Sequence, residues 1–119
     1  MSELKTGTDL VPSARKQGDA VLATVRGEID LHNSPDLRTA LIDLQQKEQP
    51  KKLILNLAQV PYMDSSAIAV LVENLKMLRK IGGKLYLTNL QPRVKSLLEI
   101  ARLDSIFVLT KDDNEALSK

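Results

Sequence analysis

The sequence contains no cysteine and no tryptophan, a single histidine, and only three aromatic residues: Tyr62, Tyr86 and Phe107. Without cysteine there can be no disulfide framework, thiolate metal site or cysteine nucleophile, which agrees with a reducing compartment. The scarcity of aromatics removes the stacking platforms on which single-stranded nucleic acids are held. Charge of one sign is also missing: 17 basic residues face 15 acidic ones, a net +2, and they are interspersed, as in Lys47-Glu48 and Lys111-Asp112-Asp113. With no basic block to meet a phosphate backbone, nucleic acid is not an expected partner. No apolar run approaches the roughly 20 residues that cross a bilayer, and the opening MSELKTGTD has no apolar centre of a secretory signal. The expectation is a cytoplasmic protein that does not insert into membranes.

What is present is the composition of a packed domain, 43% hydrophobic and 27% charged over 119 residues, enough for one apolar core and too little for two. Residues 1–8 are polar and expected to be disordered, leaving 9–119 as the single domain. Leu10-Val11-Pro12 suggests a short edge strand, where proline is tolerated. After the turn Gln17-Gly18-Asp19, alternation from Ala20 to Ile29 predicts a strand. Ser34-Pro35 is a helix start, with serine as cap and proline in the first turn, and Leu37, Ala40, Leu41 and Leu44 make one apolar stripe behind it. Lys52 to Leu57 is apolar enough to be a central strand covered on both sides.

A second helix is predicted from Asp64, with Leu71, Leu75 and Leu78 on its buried side and Gly82-Gly83 as its stop. A strand over Lys84–Thr88, a helix opened by Pro92, a strand over Ser105–Leu109 and a short helix from Asp112 complete the order. Strands alternating with helices imply an α/β fold, a mixed and mostly parallel sheet with amphipathic helices packed on it.

Chemistry is most plausible at Asp64-Ser65-Ser66, a strand-to-helix junction where free backbone N–H groups favour an anion. Taken alone, the same residues read first as an ordinary N-cap and first turn, and the motif by itself does not decide. Asp30, in a loop with His32 and Asn33, can be a turn-former of the Asx type or a partner contact. His32 reads as a solvated loop histidine, since one histidine with no second ligand makes no usual zinc site. Enzyme chemistry finds no support: Ser65 lacks the Gly-x-Ser-x-Gly elbow, and Gly82-Gly83-Lys84 lacks the earlier glycine and the following hydroxyl of a phosphate loop. No catalytic residue, metal or cofactor is expected.

Four segments in order, Gly27-Glu28-Ile29-Asp30, Met63-Asp64-Ser65-Ser66, Ile81-Gly82-Gly83-Lys84-Leu85 and Pro92-Arg93-Val94-Lys95-Ser96-Leu97-Leu98, resemble the STAS domain of anti-sigma-factor antagonists, a likeness that runs from Val21 to Phe107. The resemblance implies a bacterial regulator that binds a serine kinase which is also an anti-sigma factor. It implies phosphorylation on the first serine after the aspartate, here Ser65, reversed by a serine/threonine phosphatase. It further implies that Asp30, Asn33, Ser34, Asp64 and Ser66 rim one partner-binding face. Ala67 stands where these antagonists usually carry glycine, placing a methyl group at the expected contact surface, and Arg102 precedes Leu103 where glycine is frequent. The rival implication, from the wider STAS family, is an unphosphorylated subunit docked to a membrane lipid- or sulfate-transport complex.

Overall fold

Three neighbouring strands each feed a helix, and the three helices return across one face of the same sheet. The computed structural model describes residues 2–119, which form β1 (Ser2–Glu3), β2 (Ser13–Gln17), β3 (Ala20–Arg26), α1 (Ser34–Glu48), β4 (Lys52–Gln59), α2 (Ser65–Lys80), β5 (Lys84–Thr88), α3 (Pro92–Ile100), β6 (Val108–Thr110) and α4 (Asp113–Ser118). The sheet order is β1-β2-β3-β4-β5-β6, antiparallel from β1 to β3 and parallel from β3 to β6. The mixed, mostly parallel sheet expected from the sequence is therefore found.

Alternation along the strands sorts the core into two layers. Val21, Ala23 and Val25 of β3, Leu53, Leu55 and Leu57 of β4, and Leu85 and Leu87 of β5 point to one face. There they meet Leu37, Leu41 and Leu44 of α1, Leu71, Leu75 and Leu78 of α2, and Val94 and Leu98 of α3. The opposite face holds a smaller cluster, Ala20, Leu22, Ile54 and Tyr86 against Ala116 of α4. Cover on both faces explains the continuous apolar run of β4. Between α1 and α2 lies a buried polar pair: Gln45 Nε2 donates to Asn74 Oδ1 at 2.7 Å, and Asn74 Nδ2 donates to the Val70 carbonyl at 2.8 Å.

Four local expectations are revised. The strand expected over Leu10–Pro12 lies later, at Ser13–Gln17, and it is not at the sheet edge, pairing with β3 in a hairpin on one side and with β1 on the other. Its only fully buried residue is Ala14, so it carries no hydrophobic alternation to read. Residues 2–8, expected to be loose, contribute β1, and the Leu4 N–H donates to the Ala14 carbonyl at 2.8 Å, because the outer edge of β2 offers unpaired backbone groups. Met1 lies outside the described residues. The last strand is Val108–Thr110 and not Ser105–Leu109, since Ser105 and Ile106 form a turn that drops Phe107 into the core. Ser34 is the first residue of α1 and not its cap; Asn33 holds the cap position, and Ser34 is buried.

Helices α2 and α3 end in the same hydrogen-bonded turn. In α2 the Gly83 N–H donates to the Leu78 carbonyl and the Gly82 N–H to that of Arg79; in α3, Leu103 donates to Leu98 and Arg102 to Glu99. The left-handed position is Gly82 (φ 75°) in the first case and Arg102 (φ 59°) in the second. A side chain there costs about 1–2 kcal/mol, offset by about 0.4–1 kcal/mol that glycine loses through a freer unfolded chain. Arg102→Gly is therefore expected to stabilise the fold by about 0.5–1 kcal/mol in urea unfolding, and a loss of stability would contradict this account of the turn.

Candidate functional site

The site is built where β3 and β4 end side by side. Beyond the strands the pairing resumes in a single parallel bridge, Ile29 to Met63, after an irregularity between Thr24 and Arg26. The Ile29 N–H donates to the Tyr62 carbonyl at 3.1 Å, and the Asp64 N–H donates to the Ile29 carbonyl at 3.0 Å. Ile29 and Met63 are both buried, so apolar anchors fix two polar loops against each other.

Asp64 joins those loops to α2. Its Oδ1 accepts from the Ser66 N–H at 2.9 Å, the Ser66 hydroxyl at 2.5 Å and the Ala67 N–H at 3.3 Å, and its Oδ2 accepts from the Leu31 N–H at 3.0 Å. The Asp30 side chain folds the neighbouring loop as an Asx turn, Oδ1 accepting from the His32 N–H at 2.9 Å. Asn33 closes it: Oδ1 accepts from the Asp30 N–H at 2.8 Å, and Nδ2 donates to the Glu28 carbonyl at 2.9 Å. This is why Asn33 is not available to cap α1 with its side chain.

Ser65 is the first residue of α2 and is exposed. Among the described residues its hydroxyl makes no hydrogen bond, whereas that of Ser66 is engaged by Asp64. Two adjacent serines thus differ in chemistry, one presented and one tied down. Asp30 and Asn33 stand beside this pair through the Leu31–Asp64 bond, and Ser34 lies beneath the surface as a buried residue. The structure gathers Asp30, Asn33, Asp64, Ser65 and Ser66 at one end of the sheet and removes Ser34 from the accessible set. Ala67 also needs correcting: its side chain is fully buried in the main core, so the extra methyl does not stand on the surface beside the serines.

The bonds to Asp64 hold its carboxyl below the usual carboxylate range, with the Ser66 hydroxyl the largest contributor and the Ala67, Ser66 and Leu31 N–H groups adding to it against the cost of partial burial. A depressed carboxylate stabilises the fold fully above its unfolded pKa of about 3.9 and loses that contribution as pH falls through the lower folded value. Glu73, lowered by its two-pronged pair with Arg38 across α1 and α2, titrates in the same direction. Urea midpoints measured from pH 6 to pH 2 should fall steeply below about pH 4 for the wild type, and Asp64→Asn should flatten part of that fall. Parallel curves for the two proteins would contradict the capping role.

Two features went unread in the sequence. Leu31 is 76% exposed in the middle of the Asp30–Asn33 loop. The Arg93 guanidinium lies 4.7 Å from the centre of the Tyr62 ring, joining the start of α3 to the loop before Asp64. A leucine off every helical or strand period, among turn-forming residues, was the available signal for the first; nothing local signals the second. Among the described residues there is no cluster of metal-ligating side chains, and no helix is long and apolar enough to cross a membrane.

Comparison with known proteins agrees with this architecture. The STAS domain model matches residues 11–116. The anti-sigma-B factor antagonist of Bacillus subtilis is 40% identical over 86 residues, 72% of this chain and 77% of that protein. The crystal structure of an anti-sigma factor antagonist from Mycobacterium paratuberculosis superposes with a TM-score of 0.79 at 23% identity, covering 88% of each chain. The Bacillus cell fate determinant SpoIIAA in its phosphorylated form superposes with a TM-score of 0.67 at 19% identity, covering 88% of this chain and 95% of that one. On the sequence relationship, the chain belongs to the STAS domain family of anti-sigma-factor antagonists.

Proposed function

We propose that the chain is an anti-sigma-factor antagonist working by partner switching in the cytoplasm, with Ser65 as the phosphoacceptor. In the unphosphorylated state it occupies a serine-kinase anti-sigma factor, so that the sigma factor or other client of that kinase is free. Phosphorylation of Ser65 by the kinase releases the antagonist, and a serine/threonine phosphatase restores it. The observation that carries this reading is the exposed, unengaged Ser65 hydroxyl at the first position of α2, beside a Ser66 hydroxyl already held by Asp64. The 40% identity to an anti-sigma-B factor antagonist supports an anti-sigma factor as the class of partner, and a protein of the same fold, SpoIIAA, has a structure in a phosphorylated form.

The fold tolerates the modification where it would occur. An anion at a helix N-terminus is favoured by the dipole, so phosphate on Ser65 need not unfold α2. Its effect falls on the partner, which must bury about −1.5 to −2 charges beside the Asp64 carboxylate. Incubation with ATP and each serine-kinase anti-sigma factor of the source organism, followed by phosphopeptide mass spectrometry, should place phosphate on Ser65 alone, and Ser65→Ala should take up none. Phosphate on Ser66, or none with any of these kinases, would overturn the assignment.

A further inference from the structure

Resting on the partner-switching reading, we propose that Leu31 is the apolar anchor of the binding face, inserting into an apolar pocket of the serine-kinase anti-sigma factor. Two large apolar side chains are strongly exposed among the described residues, Leu31 at 76% and Ile100 at 80%. Ile100 lies at the far end of α3, whereas Leu31 belongs to the loop that meets the Ser65 junction.

The backbone beneath Leu31 is unusually well held for an exposed loop. Its own N–H is bound by Asp64 Oδ2, the preceding N–H by Asn33 Oδ1, the following one by Asp30 Oδ1, and the Asn33 side chain is tied to the Glu28 carbonyl. Four hydrogen bonds thus fix a residue whose side chain touches little of its own fold. Such bracing gives the free protein nothing in burial, but it removes the ordering cost that a mobile loop would meet on binding. The bond from Leu31 to Asp64 also sets the anchor at a fixed place relative to Ser65, so a kinase that seats Leu31 is positioned over the hydroxyl. The rest of the loop is polar, with Glu28, Asp30 and His32 exposed around the leucine. An apolar centre within a polar rim is the arrangement of a protein interface core.

The test is calorimetric titration of wild type, Leu31→Ala, Leu31→Met and Ser65→Asp into the source organism's serine-kinase anti-sigma factors, each purified with bound nucleotide. Leu31→Ala should bind about 30-fold more weakly, equivalent to about 2 kcal/mol, and Leu31→Met within about threefold of wild type, since it restores apolar volume. Neither should shift the melting temperature, and hydrogen exchange at residues 30–33 should slow in the wild-type complex. Unchanged affinity of Leu31→Ala alongside weakened Ser65→Asp would overturn the anchor and leave the switch standing. Failure of the wild type to bind any of these kinases would overturn the switch and the anchor with it.

Discussion

Leu71→Ala is expected to destabilise the protein by about 2–5 kcal/mol, the range for truncating a buried leucine that the surroundings cannot fill. Leu71 is 2% exposed on the sheet side of α2, within the core layer that includes Leu41 of α1 and Leu55 of β4. For a domain whose total stability is about 5–15 kcal/mol, that removes a large fraction. Chemical denaturation should show an earlier midpoint with an unchanged slope, because the loss is in stability and not in the surface exposed on unfolding. A midpoint equal to wild type would mean that α2 does not pack on the sheet, and the placement of Ser65 at its start would fall with it.

Phosphorylation of Ser65 should weaken binding to the kinase about 100-fold, while changing the fold's stability little. A hundredfold loss needs only about 2.7 kcal/mol, a modest requirement for repulsion by Asp64 together with desolvation of a dianion at a covered surface. An aspartate with an ordinary pKa of about 3.9 is already charged near neutral pH, and the hydrogen bonds that hold Asp64 below that range favour the same charged form. Ser65→Asp adds a single charge and should reproduce only part of the loss. Titrating phosphorylated and unmodified protein into the same nucleotide-bound kinase measures the ratio directly; equal affinities would show that charge at Ser65 does not control the complex.

Much of this was legible in the sequence where one physical signal dominated. The stripe Leu37, Ala40, Leu41, Leu44 located α1, and Asp64 followed by an apolar run located α2 to within one residue, Asp64 being its cap and Ser65 its first residue. Legibility failed where the signal was backbone pairing. Ser13–Gln17 is polar and earns its place as a strand from hydrogen bonds to β3, which no side-chain pattern reports. Ile106-Phe107-Val108-Leu109 is continuously apolar, yet only Val108 and Leu109 are in the strand, because burial of Phe107 in a turn uses the same residue types.

At the site, the residue types were read and their directions were not. The resemblance puts Ser34 and Ala67 on the binding face, and both are buried. Direction depends on which way each first turn faces, and that is set by the Ile29–Met63 bridge between segments more than thirty residues apart. The different fates of Ser65 and Ser66 are equally invisible in the sequence. Asp64 can accept from the hydroxyl two residues on, and that single bond decides which serine is left free.

The most direct measurement of the central proposal is the lifetime of the complex with the kinase once ATP is supplied, compared between wild type and Ser65→Ala. Alanine is well tolerated at the start of a helix and removes only the phosphoacceptor, so the variant should fold and bind as the wild type does without ATP. On addition of ATP the wild-type complex should dissociate as phosphate accumulates, while the Ser65→Ala complex should persist. Release of both at the same rate would contradict the account, because dissociation would then owe nothing to Ser65.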